Sequence, residues 1–235
     1  MGPFAGDQVL LFHGGINVVQ GPSGSGKSTI FRGLESRYRE LFQRHDLPIE
    51  LAVELVFIGE DYAYDKRRGE SIVKSVQDQY DAPCVRVLPQ LVSHYINQLI
   101  GPKVMLGHSK FGSPDTSGYP FQLAIAESGA FGLFNANGDS VDDLFRAAGE
   151  SFLLSLACNI AVRDVLGFID PIVVDAAFDV LDESLLYGCH RGIARTNCQC
   201  VYLFSEATSE RLPITSDYIL TRVENYQTCA VRTCA

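Results

Sequence analysis

The run GPSGSGKST, Gly21 to Thr29, constrains this chain more than any other segment. It fits G-x-x-x-x-G-K-[ST] at Gly21, Gly26, Lys27 and Ser28. Glycines without a Cβ let successive backbone N–H groups turn inward and cradle phosphate oxygens. The lysine reaches β- and γ-phosphates, and the hydroxyl of Ser28 is a Mg²⁺ ligand in such loops. The flanks supply the context the pattern requires. Ile16 to Val19 is apolar and β-rich, and STIFRGLESRYRELF continues with helical spacing. Strand, glycine loop and helix set the loop at a helix N-terminus, which itself attracts anions. Gly21, Pro22, Ser23, Gly24, Ser25, Gly26, Lys27, Ser28 and Thr29 are therefore the expected nucleotide-binding residues.

At 235 residues the chain suits one α/β domain, or a domain carrying an inserted lobe. Its 46% hydrophobic content is ample for a core. No apolar stretch approaches the roughly 20 residues of a membrane helix, so no membrane partner is expected. The segment MGPFAGDQ lacks a charged region followed by an apolar one, so no secretory signal is expected. A cytoplasmic or nuclear location follows, with the seven cysteines reduced. Cys198 and Cys200 read as one face of a strand in NCQCVYLF, with no second Cys/His pair to complete a zinc site. A net charge of −9 argues against a protein that coats nucleic acid with its whole surface. The short basic run Lys66, Arg67, Arg68 reads first as a solvated turn and second as a local contact to nucleic-acid phosphate.

Along the chain, ELAVELVFIG (residues 50 to 59) reads as a strand and residues 71 to 99 as helix broken at Pro83 and Pro89. Residues 101 to 120 read as loop. PFQLAIAES and AFGLFNANGDS read as a strand pair turning near Asn137-Gly138. Residues 60 to 120 are the expected inserted lobe, helical and loop-like. From 146 to 167, Phe152, Leu153, Leu156, Ala157, Ile160, Ala161 and Val165 recur at three and four, the stripe of a buried helix. Ile172 to Val174 is a short apolar strand ending in Asp175. A helical segment around 182 to 195, a second apolar strand CVYLFSE and a final strand SDYILTRV follow. Apolar strands alternating with helices after a phosphate loop predict an α/β P-loop fold: a largely parallel, helix-covered sheet with an antiparallel portion. A phosphate loop needs a carboxylate at a neighbouring strand end to hold Mg²⁺. Ser28 and Asp175 are accordingly the expected metal pair.

The order of these motifs resembles the ATPase heads of the SMC, RecF and RecN kind within the ABC ATPase superfamily. GGINVVQGPSGSGKST resembles their P-loop region, and FNANGDSVDDLFRAAGESFLLSLACNIAVRDVLGFIDPIVVDAAFDVLDE their signature helix, Walker B strand and D-loop in series. CVYLFSEATSERLPITSDYILTRV resembles the switch strand and the final strand. The likeness covers about residues 8 to 35 and 131 to 223, and implies a single ABC-ATPase-like domain over 1–235. It implies ATP and Mg²⁺ as ligands, Asp175 as the Walker B aspartate, and Leu181-Asp182 as a D-loop that crosses a dimer interface in such heads. The signature would begin near Ala147 and Ala148, with Gly149 and Glu150 retained. In such heads the signature of one closes over ATP held by another, which implies homo- or hetero-oligomers formed through the nucleotide face. Work on DNA repair or chromosomes is implied only by the likeness; the charge balance lends DNA binding no support.

Three departures in the motifs, and a missing coiled coil, stand against this pattern. The family's catalytic Glu follows the Walker B Asp, and here that position is Ala176. General-base catalysis is worth roughly 10²–10⁴ in rate, so a methyl there removes most of it. Ala147 and Ala148 replace the signature Ser and first Gly, and Ser205 or Glu206 stands at the switch His. The family's coiled coil has no counterpart in residues 30 to 140, which lack sustained heptads. Lys27 is the expected catalytic cation, and Glu206 the candidate to supply the missing carboxylate. The leading expectation is an ATP-binding head that hydrolyses slowly or not at all and switches association with itself or a partner. Two alternatives are a P-loop nucleotide or small-molecule kinase and a non-catalytic nucleotide-binding subunit of a larger assembly.

Overall fold

The computed structural model describes residues 9–43, 46–59, 61–65, 67–80, 86–105, 121–125, 131–140, 148–195, 198–212, 217–222 and 228–232. The chain forms two compact units. The first comprises residues 1–60, 170–179 and 197–235, and the second 61–169 and 180–196.

The first unit is built on a six-stranded sheet of order β2-β5-β6-β1-β7-β8. Its strands are β1 (Ile16–Gln20), β2 (Phe57–Ile58), β5 (Ile172–Asp175), β6 (Cys200–Phe204), β7 (Tyr218–Arg222) and β8 (Thr228–Arg232). All neighbours pair in parallel except β7 and β8, which are antiparallel. Val18, Val19, all four residues of β5 and all five of β6 are buried. Such continuous apolar strands are what parallel pairing between covered faces demands. α1 (Lys27–Leu41) and α2 (Ile49–Val56) pack on this unit, and the short α8 (Glu206–Arg211) follows β6.

Residues 50 to 59 correct the sequence reading. They form α2 and then the two-residue β2, not one strand. Pro48 opens the helix, and Leu51, Ala52, Val53, Leu55 and Val56 are all buried. Two β-branched valines do not outweigh helix-forming Leu, Ala and Glu once most of the segment is covered.

The second unit holds α3 (Asp61–Tyr64), α4 (Arg68–Gln77), α5 (Leu88–Met105), α6 (Ala148–Leu166) and α7 (Glu183–Ala194), with the antiparallel pair β3 (Gln122–Ile125) and β4 (Phe131–Phe134). α6 is central, with α3, α4 and α5 packed on it. Its residues 151 to 153 and 155 to 163 are buried, so its apolar surface runs all round rather than along one stripe. Gly69 lets α4 approach closely: a Cβ there would stand 3.0 Å from Cys158 Sγ. Buried Asn159 donates to the Tyr62 hydroxyl at 2.9 Å. Pro89 does not interrupt a helix but sits in the first turn of α5, where a missing N–H costs nothing. Helix also extends through residues 101 to 105, and 106–120 lie outside the described residues. The Asn137-Gly138 turn likewise does not join β3 to β4. It follows β4, with Gly138 at φ 86 and a bridge from Phe134 to Ser140. Among the described residues, no helix is long and apolar enough to cross a membrane.

Candidate functional site

Three parallel strands carry the site. Val19 of β1 and Asp175 of β5 both pair with Leu203 of β6, so their ends lie in one register with β6 between. At about 4.8 Å per strand, Asp175 stands roughly 10 Å across the sheet from the strand that feeds the phosphate loop. The first loop residue is tied to this edge, since Gly21 N–H donates to the Phe204 carbonyl at 3.2 Å.

The loop then turns as glycine allows. Ser25 N–H donates to the Pro22 carbonyl at 3.2 Å, with Gly24 at φ 74 and Gly26 at φ 97. Gly26 is the N-cap of α1, and no side chain caps that terminus. First-turn N–H groups left without a side-chain cap are suited to an anion. The Lys27 ammonium bends over the loop, donating to the carbonyls of Gly21 at 2.6 Å and Pro22 at 2.8 Å. Ser25 is fully buried, and its Oγ has no hydrogen-bond partner among the described residues.

A cleft of about 340 Å³ opens here. Ser23, Gly24, Gly26, Lys27, Ser28 and Thr29 form one side, and Asp175, Ala176, Asp179 and Ser205 the other. Burial lowers the Lys27 ammonium below its ordinary range, while the charges of Asp175, Asp179 and Glu206 pull it back up. The cleft thus pairs one half-buried cation with carboxylates. A triphosphate fits this chemistry: a cradle with two left-handed glycines, a bare helix terminus, a buried spare hydroxyl and an ammonium. Ser28 and Asp175, which line the same cleft, would hold Mg²⁺.

No protein-family model matches the sequence, and no curated protein matches it. Solved structures do. The SMC head domain from Thermotoga maritima superposes with a TM-score of 0.56 at 12% identity, covering 100% of this chain and 96% of that one. An SmcHead bound to the C-winged helix domain of ScpA gives 0.65 at 12% identity, covering 99% and 95%. The fold is that of an SMC head.

On this SMC-head fold, the segments aligned with signature and D-loop fall in the second unit. Ala147 lies outside the described residues, and Ala148 and Gly149 begin α6, followed by Glu150. Asp182 is the N-cap of α7, its Oδ1 accepting from Leu185 N–H at 2.9 Å. Of the two residues expected at the switch position, Ser205 lines the cleft, while Glu206 is the exposed first residue of α8. Cys198 precedes β6 rather than sharing a strand face with Cys200, which is buried.

Two features escaped the sequence. Ala176 adopts φ 56, left-handed backbone that costs a residue with a Cβ about 1–2 kcal/mol. The 3₁₀ helix Ala177–Val180 follows it and carries Asp179 into the cleft. The only sequence signal was a second aspartate four positions after Asp175.

Gly21 is required for space as well as for its place in the pattern. A Cβ there would stand 2.6 Å from Ser25 Oγ, 2.8 Å from Leu220 Cβ and 3.2 Å from the Leu220 carbonyl. Gly21→Ala is expected to destabilise the protein by about 1–3 kcal/mol, as overpacking does. For a chain of this size that lowers the melting temperature by about 3–10 °C in calorimetry.

Proposed function

We propose that the chain binds ATP·Mg²⁺ in this cleft and that binding switches its association with a second copy or a partner protein, with slow turnover. One observation carries the reading: the phosphate loop, Ser28 and Asp175 line one cleft, while the position after Asp175 presents a methyl. Lys27 and the loop N–H groups hold phosphate oxygens. Ser28 and Asp175 hold the metal, which when bound would neutralise phosphate charge. The preference for ATP, and association through the nucleotide face, rest on likeness to SMC heads, one of which was solved bound to a domain of ScpA. Work on DNA repair or chromosomes belongs to the same likeness.

Titration calorimetry with ATP and Mg²⁺, paired with mass measurement with and without nucleotide, tests this. Saturable binding and a change of mass support it. No binding at millimolar nucleotide refutes it, and phosphoryl transfer to a nucleoside monophosphate would assign a kinase instead.

A pH dependence follows from Lys27. Its lowered value means that the ammonium loses its proton below the ordinary 10.5 of a lysine. Phosphate needs the protonated form, so ATP affinity is expected to fall as pH rises through that lowered value. The burial cost of the charge runs the other way: it is present at lower pH and is relieved as pH rises toward 10.5. Titrations from about pH 7 to about pH 10 should show affinity lost before the range of a free lysine.

A further inference from the structure

We propose that Asp179 is the carboxylate that activates water at this site, one 3₁₀ turn along from the position Ala176 leaves without one. This rests on the nucleotide reading above. The turn itself makes the argument. Asp179 N–H donates to the Ala176 carbonyl at 3.0 Å. That bond closes the turn from position 176 onto position 179, at the start of the 3₁₀ helix Ala177–Val180. Both residues line the cleft with Lys27 and Ser28. The left-handed φ of Ala176 starts this turn, and backbone strain of that kind concentrates at functional sites.

The carboxylate is also held. Asp179 Oδ1 accepts from the hydroxyl of Thr208, which is buried, and from Ser205 Oγ at 3.4 Å. Thr208 N–H in turn donates to Ser205 Oγ at 3.2 Å, fixing both hydroxyls at the start of α8. Neither side-chain bond described for Asp179 uses Oδ2, which keeps its capacity to accept a proton. Glu206 is the rival from the sequence, but it does not line the cleft as Asp179 does. Its pull on the Lys27 ammonium is also the weaker of the two.

The step assigned is hydrolysis. Asp179 takes a proton from water as the water oxygen bonds to the γ-phosphorus. The bond from that phosphorus to the bridging oxygen breaks, and its electron pair leaves on ADP. The proton then passes to the released phosphate. Thr208 is a positioning residue that acts through Asp179.

The test uses the full chain, ATP·Mg²⁺ titration and single-turnover hydrolysis of radiolabelled ATP. Asp179→Asn is expected to keep ATP affinity within roughly threefold. Its single-turnover rate should fall about 100-fold or more. Mass spectrometry of the purified variant should find retained ATP where the unmodified protein carries ADP. Thr208→Val should slow the step, and Thr208→Ser should restore it. Binding without any turnover by the unmodified protein overturns the assignment and leaves the nucleotide reading standing. A rate unaffected by Asp179→Asn overturns it too, as does a larger loss from Glu206→Gln. Absence of ATP binding overturns both.

Discussion

Lys27→Ala is expected to weaken ATP·Mg²⁺ binding about 100-fold, the largest effect on affinity of any single change in the cleft. A hydrogen bond to a charged group is worth about 1.5–3 kcal/mol, and each 1.4 kcal/mol is tenfold in affinity. The ammonium is half-buried beside carboxylates, so on the proposed function it would be the counter-charge that lets phosphate approach Asp175 and Asp179. Without it the cleft is acidic, and repulsion adds to the lost bond. The fold should tolerate the change: the carbonyls of Gly21 and Pro22 that Lys27 caps belong to an open cleft and regain water. Calorimetry should therefore show lost affinity with a melting temperature shifted by little. A variant that binds ATP within a fewfold of the unmodified protein would mean that phosphate is held elsewhere.

The largest expected effect on stability lies at Asn17, in the strand before the loop. Its side chain is fully buried and works at both ends. Oδ1 accepts from His13 N–H at 2.8 Å. Nδ2 donates to the carbonyls of His13 at 2.9 Å, Gly15 at 3.0 Å and Cys200 at 3.0 Å. This one amide folds the approach to β1 and bolts β1 to β6. Asn17→Ala leaves buried backbone groups unpaired, at about 1–3 kcal/mol each. Part of that is recovered, because His13 is exposed and Gly15 keeps a bond from Cys200 N–H. A net loss of about 2–4 kcal/mol is expected, or about 5–15 °C in melting temperature. Asn17→Asp should do no better, since it retains the acceptor but replaces the donors with a buried charge. A shift under a degree or two for Asn17→Ala would show that water replaces these bonds at little cost.

Legibility in the sequence followed the range of the interactions involved. The phosphate loop, β1 and α1 could be read because each is set by local chemistry: glycine backbone freedom, a β-rich run, helical spacing. The strand at Ile172–Asp175 and the helix Ala148–Leu166 were visible as apolar patterns of the right length. Residues 50 to 56 were misread because burial on most sides erases the periodicity that separates helix from strand. The antiparallel strand Thr228–Arg232 was not anticipated, as its pairing with β7 is set by a partner rather than by its own pattern. Asn17 gave no signal, since an asparagine in a strand looks the same whether its amide meets water or four backbone groups. Asp179 was hidden for a further reason. Its place depends on the sign of φ at Ala176, and nothing in the residue type alanine announces a left-handed turn.

The two-residue strand β2 bears on whether another chain could extend this sheet. Among the described residues it is an end strand of the sheet, paired with β5 alone, and both its residues are buried. Long, exposed terminal strands invite another chain to extend the ladder, and the usual routes to uncontrolled aggregation begin there. This border offers an intruder two covered residues and little backbone to grip. Self-association along it by strand addition is disfavoured, so the association proposed above would have to rest on side chains and on the bound ligand.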